Sequence, residues 1–206
     1  MLASVDAETR LAFLAHAFDR EIADVDLWSW TWGSVYVAAG AAQGVAITLV
    51  RDHGTRIDLS VGAISAGVGA LSLYGLPLRV TLPLRNARRE WGDGDRCRVL
   101  ADAEAALVSV ATTQRLSGGW LPHVGNLAFN AALGLILGWG FGRWTSAALS
   151  AGIGTAVGEA NVLTQPHRMP RILDRYLEGR AEDTAPVGFF ASLGGPGPGF
   201  AIAARF

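Results

Sequence analysis

Apolar residues along this chain obey two different rules, and the switch between them organises the sequence. Between residues 7 and 23 they recur at helical spacing (Leu11, Leu14, Phe18, Ile22), with Glu8, Arg10, Asp19 and Arg20 between them. That spacing predicts an amphipathic helix with one buried face. Across 27–50, LWSWTWGSVYVAAGAAQGVAITLV, the charged face vanishes. A polar turn, RDHGTRID, precedes a second uncharged run, LSVGAISAGVGALSLYGLPL, at 59–78. The pattern then begins again. After the polar stretch RNARREWGDGDRCR at 85–98, residues 99–116 read as a second amphipathic helix. Uncharged runs follow at 120–142 and 144–158.

A helix needs about twenty apolar residues to cross a ~30 Å hydrocarbon core. The first three runs meet that length, while Glu159 cuts the fourth short. Trp28, Trp30 and Trp32 at one edge, and Trp139 with Trp144 around a turn, suit an interfacial aromatic belt. The alternative is a water-soluble helical domain with unusually apolar helices.

The two halves also share landmarks in order. Trp30 aligns with Trp120, Gly44 with Gly134, and ISAGVGAL at 64–71 with LSAGIGTA at 149–156. A duplication follows, and missing one misreads a fold. The expected fold is all-α: two repeats of amphipathic helix plus apolar hairpin, making four membrane helices, with a small C-terminal β-hairpin. The first repeat spans 1–80, an Arg-rich linker 81–98 and the second repeat 99–168, leaving a polar segment and tail at 169–206. An even number of crossings per repeat makes the halves parallel, with the amphipathic helices along one interface. Gly62, Ser65, Ala66 and Gly69, and their counterparts Ala147, Ser150, Ala151 and Gly154, are expected to form a helix-packing seam. Small residues at this spacing let helix backbones approach closely in lipid.

Composition narrows the function classes. Of 206 residues 50% are hydrophobic and 17% charged, and net charge is −1. No basic field calls for nucleic acid. Cys97 stands alone, which excludes an internal disulfide framework and a Cys-based zinc cluster. Neither a metal nor a cofactor is expected. The hairpin tips hold Arg51, Arg56 and Arg143, whereas the linker and the stretch after 167 hold many more. By the positive-inside bias this predicts an inner-membrane protein with both termini cytoplasmic. The N-terminal residues do not read as a signal peptide; a periplasmic or outer-membrane location is the alternative if one is missing from the reading frame. Arg85, Arg88 and Arg89 are candidates for anionic lipid headgroups, although a solvated charge run is the blander reading.

Polar chemistry concentrates in the second repeat. His123, Asn126 and Asn130 fall on one helix face, where the first repeat has Gly33, Tyr36 and Gly40. Glu159 and Asn161 sit on the neighbouring run. Because the two helices are antiparallel, His123 and Glu159 can reach the same level, giving a polar pocket of His123, Asn126, Asn130, Glu159 and Asn161. Ionisable groups at membrane depth are functional candidates by default; interhelical glue is the plain alternative. No nucleophile accompanies them, so the expectation is a non-catalytic scaffold, assembly or lipid-contacting component of the cell envelope. Its partners would be membrane lipid and other membrane or envelope proteins. A transporter or enzyme using the pocket, and a soluble lipid-binding protein, are the alternatives. At the C-terminus, 187–206 read as two short apolar runs around a Gly-Pro turn, a β-hairpin pattern.

Overall fold

The computed structural model describes residues 5–73, 75–92 and 95–180, and these form seven α-helices and no strand. The expected C-terminal hairpin lies outside the described residues. In chain order the helices are α1 (Ala7–Leu49), α2 (His53–Ser72), α3 (Gly75–Arg89), α4 (Arg96–Ser117), α5 (Trp120–Leu135), α6 (Trp144–Leu163) and α7 (Met169–Leu177). A π-helical turn, Ile136–Gly140, continues α5.

Two expectations need correcting. The first amphipathic helix and the first apolar run are not separate elements: α1 is continuous over 43 residues. The change of hydrophobic pattern near residue 26 brings no Gly or Pro with it, so the backbone ladder has no reason to stop. In the second half a real break exists, at Gly118 and Gly119 between α4 and α5. There the ring of His167 approaches so closely that a Cβ on Gly118 would lie 3.1 Å from it. The second correction concerns the linker. Residues 81–89 belong to α3, which buries Val80, Leu84 and Ala87 at helical spacing beneath its arginines.

The amphipathic segments pack against one another and against α3 and α7. The amino-terminal half of α1 packs with α3, α4 and α7 around a buried apolar core. Leu14, Phe18, Val25, Leu84, Leu107, Val110 and Met169 are fully enclosed there, and Ile22 packs partly buried beside them. Ion pairs and hydrogen bonds fix the directions. Glu8 meets Arg96, Arg10 meets Glu104 and Glu21 meets Gln114, so α1 and α4 run parallel. Arg88 holds Asp19 and Arg85 holds Asp26, which sets α3 antiparallel to α1. Tyr176 donates to Glu104 and Arg115 donates to Asp174, which sets α7 antiparallel to α4. Burial pushes the Tyr176 phenol up to about 12, with the neighbouring Glu104 adding to the rise.

Above this base stand two hairpins, α1 with α2 and α5 with α6, where burial reverses. Past Trp28 no residue of α1 is buried; on α2 only Ala66 is, and on α6 only Ala147. The large apolar side chains point outward instead, with Trp30 75% exposed, Ile64 62% and Ile153 64%. One described helix, Trp120–Gly140, is long and apolar enough by length and composition to cross a membrane. The α1 and α2 runs fall short of that measure. Trp, Gly, Ser and Gln dilute the first, and Arg56 and Asp58 enter the second.

Each hairpin closes through glycine. Gly40 faces Ala66 at 3.6 Å (from a Cβ built on the glycine), Gly69 lies under the Tyr36 ring, and Gly62 lies under the Gln43 amide. In the second hairpin Gly134 faces Ala151 at 3.2 Å, while Asn130 covers Gly154 and Asn126 covers Gly158. Positions aligned by sequence therefore do not pair alike. Tyr36 aligns with Asn126, but Tyr36 sits on Gly69 whereas Asn126 sits one turn beyond the aligned Gly154. Fewer residues separate Gly134 from Ser150 than Gly44 from Ser65, so the second hairpin is paired one turn further along. Its tip is built by the π-helical turn, by Gly142 at φ 68° and by Gly138, against which the Trp144 ring packs.

Candidate functional site

The antiparallel pairing of α5 and α6 brings four of the five proposed pocket residues into one hydrogen-bonded group. His123 Nδ1 lies 2.5 Å from Glu159 Oε2. Asn126 Nδ2 donates to Glu159 Oε1 at 2.9 Å and to the Thr155 carbonyl at 2.9 Å. Asn130 Nδ2 donates to Asn126 Oδ1 at 2.8 Å and to its carbonyl at 2.9 Å. Asn130 is buried, while the His123 and Glu159 side chains keep about a third of their surface. The small residues on α6 make this possible, since a side chain on Gly154 or Gly158 would occupy the places of the two amides.

Asn161 is not part of that group. It stands two residues beyond Glu159 on the same helix, and its Nδ2 is buried without a hydrogen-bond partner. Asn161 shares instead the wall of a cleft of about 640 Å³ between the two hairpins. The expected seam residues Gly62, Ser65, Ala66, Gly69, Ser150 and Gly154 line this cleft as well. Ala147 and Ala151 pack against Gly134 within the second hairpin. The small residues thus close each hairpin on itself and leave a gap between the pair. A second hollow, about 410 Å³, lies below, with Gln114, Arg115, His123 and His167 in its wall. His123 therefore borders this hollow on one side and the amide network on the other.

Three polar assemblies were not anticipated from the sequence. At the tips, Arg143 grips Asp58 with two hydrogen bonds, Nε to Oδ1 at 2.7 Å and Nη2 to Oδ2 at 2.5 Å, and Ser146 adds a third at 2.8 Å. This joins α6 to α2 across the cleft, over Gly54, whose missing side chain makes room for the guanidinium. At the base, Gln114 donates to Glu21 Oε1 at 2.5 Å and to the Pro166 carbonyl at 3.2 Å, and accepts from the Met169 N–H at 2.9 Å. Glu21 is fully buried, and burial raises its carboxyl pKa. Trp28 and Trp32 both donate to Thr164 Oγ1, tying α1 to the end of α6. Nothing local signals any of the three, because each needs distant helices to meet.

Two of the proposed lipid-binding arginines are engaged within the chain. Arg85 pairs with Asp26 at 2.5 Å, and Arg88 pairs with Asp19 at 2.7 Å while lying over the Trp91 ring. Arg89 is exposed. Among the described residues no group of three or more His, Cys, Asp or Glu is placed to hold a metal ion, and Cys97 is free and exposed. The chain matches no family model, no curated protein and no solved structure.

Proposed function

We propose that the chain is an integral membrane protein of the cell envelope, a duplicated pair of lipid-embedded hairpins on a water-facing helical base, acting as a non-catalytic scaffold or lipid-contacting component. The observation that carries this reading is the reversal of burial along the length of α1. Below Trp28 one apolar face, with Leu14, Phe18 and Val25, is enclosed, and above it the large apolar side chains face outward around a small-residue and polar interior. Water selects the first arrangement, because apolar surface left exposed costs about 25 cal/mol per Å². Lipid permits the second, since helices there associate through close packing and polar contacts. The parallel course of α1 and α4 supports two equivalent halves about an axis along the membrane normal. Arg79, Arg85, Arg88 and Arg89 on the base, against few arginines at the tips, support a cytoplasmic base in an inner membrane.

The test is carbonate extraction together with topology reporters at residues 51 and 142 and in the loop near residue 92. Retention in the membrane, with both tips on one side and the loop on the other, is the expected result. Release into the supernatant overturns it. A second reading, a transporter or enzyme working through the second hairpin, is favoured by the His123–Glu159 contact, which can hold or release a proton beside the amide network. His123→Ala and Glu159→Gln that stay folded and membrane-retained should then abolish whatever phenotype the wild-type gene restores to a deletion strain. Full restoration by both variants sinks the second reading and leaves the first standing.

A further inference from the structure

We propose that the cleft between the hairpins, together with the hollow beneath it, is a path by which small uncharged molecules bearing hydroxyl groups cross the membrane. The proposal rests on the membrane placement above and gives the transporter reading a route and a class of solute. The two hairpins are joined at their tips by the Arg143–Asp58–Ser146 assembly and at their feet by the helical base, yet between these joints a gap of about 640 Å³ remains. The hollow of about 410 Å³ lies below it, at the base. Val162 stands in the wall of both spaces. His123 faces the hollow, and Asn126, bound to it through Glu159, faces the cleft. One layer of side chains therefore divides the two.

The wall selects the class of solute. None of the residues lining the cleft is charged, so an ion entering it would lose its hydration without a partner. Yet the wall is polar at points that a solute can reach. Among the described residues the hydroxyls of Tyr36, Ser65 and Ser150 find no hydrogen-bond partner, and none of the three is sealed off from the cleft. Gln43 gives its Nε2–H to the Ala39 carbonyl and keeps Oε1 for a donor. These four groups come from α1, α2 and α6, hence from both hairpins. Lipid chains filling the gap would leave all of them unmet, and unsatisfied polar groups are costly in hydrocarbon. The hydroxyls donate or accept, whereas Gln43 Oε1 only accepts, so a solute carrying acceptors alone leaves that oxygen unmet. Water and simple polyols, which both donate and accept, satisfy the whole set. Arg115 and His123 make the hollow below a polar mouth, and the layer at Val162 and His123 is the constriction between that mouth and the cleft.

The experiment places the full chain in phosphatidylcholine liposomes and follows their swelling by stopped-flow light scattering under a glycerol gradient, with choline chloride as the charged control. The expected result is glycerol entry about tenfold faster than in empty liposomes, with choline entry unchanged. Val162→Ala thins the dividing layer and should speed glycerol entry about threefold further, whereas Val162→Phe should return it to the empty-liposome rate. Ser65→Ala combined with Ser150→Ala strips two hydroxyls from the wall and should slow glycerol entry about fivefold. Circular dichroism in the same liposomes reports whether each variant is folded; should Val162→Phe not fold, the double alanine variant, which loses only two oxygens, decides. Glycerol entry at the empty-liposome rate in both wild type and Val162→Ala overturns the proposal and leaves the membrane placement standing. So does choline entry as fast as that of glycerol, or glycerol entry indifferent to the loss of both hydroxyls. Failure of the chain to insert into liposomes overturns the membrane placement, and this inference with it.

Discussion

Replacing Glu21 with glutamine tests whether the base keeps a buried acid in its neutral form. Glu21 is fully enclosed, its Oε1 accepts from Gln114, and its Oε2 has no partner. Burial lifts its pKa above the ordinary 4.5; the Gln114 hydrogen bond opposes the rise, Asp24 adds to it and Arg168 opposes it. The folded chain therefore holds a proton that the unfolded chain releases near the ordinary value. For an acid shifted this way, the stabilisation is fully present below the unfolded pKa. It is lost as pH climbs through the folded pKa, at up to about 1.4 kcal/mol per pH unit, and then levels off. The glutamine variant has no such proton to lose and keeps the acceptor for Gln114. Wild type and Glu21→Gln should thus melt together near pH 4, and the variant should pull ahead as pH rises to 8. In a chain of this size each kcal/mol corresponds to roughly 2–4 °C. The assay is near-ultraviolet circular dichroism of the detergent-solubilised protein, heated at half-unit pH steps. Taking the difference between the two proteins cancels the other titrating groups. Parallel pH curves, or a variant less stable than wild type at pH 8, would refute the reasoning.

Three further outcomes are expected. Phe18→Ala, at a fully enclosed position, should cost about 3–5 kcal/mol in the same melts, and a loss below about 1 kcal/mol would deny that the base is a packed core. Gly154→Leu should destabilise the second hairpin, because its side chain must displace the Asn130 amide, whereas Gly152→Leu meets open space and should be nearly neutral; equal effects would contradict the pairing. Arg143→Ala should separate the tips, seen as longer and broader distances between spin labels at His53→Cys and Thr145→Cys with Cys97→Ser in the background. An unchanged distribution would show that the ion pair does not join them.

Much of the architecture was legible because helices advertise themselves through spacing. Leu11, Leu14 and Phe18 are the buried stripe of α1, and His123, Asn126 and Asn130 share a face that meets Glu159 on the antiparallel neighbour. What escaped was masked or non-local. Arginines on α3 hid Val80, Leu84 and Ala87, whose spacing matches that of any other buried face. The change of pattern within α1 was read as a break, although only a change of surroundings occurs there. Contacts such as Glu21 with Gln114, or Arg143 with Asp58, depend on which helices become neighbours, and a single strand of letters does not carry that. The one-turn difference between the hairpins was encoded in their unequal arm lengths, and the matching Ser-Ala-Gly strings obscured it.

The unbroken course of α1 has a mechanical consequence. At ~1.5 Å per residue its 43 residues make a strut about 65 Å long, rooted in the base and reaching the far tip without a joint. The other hairpin is set off from α4 by the break at Gly118 and Gly119, and is tied to the strut by Trp28 and Trp32 on Thr164 and to α2 by Arg143 on Asp58. Push on the foot of the strut and its upper end must swing as one piece, carrying the second arm with it through those two ties. Leverage of that kind turns a slight tilt at the root into a larger displacement of the joined tips.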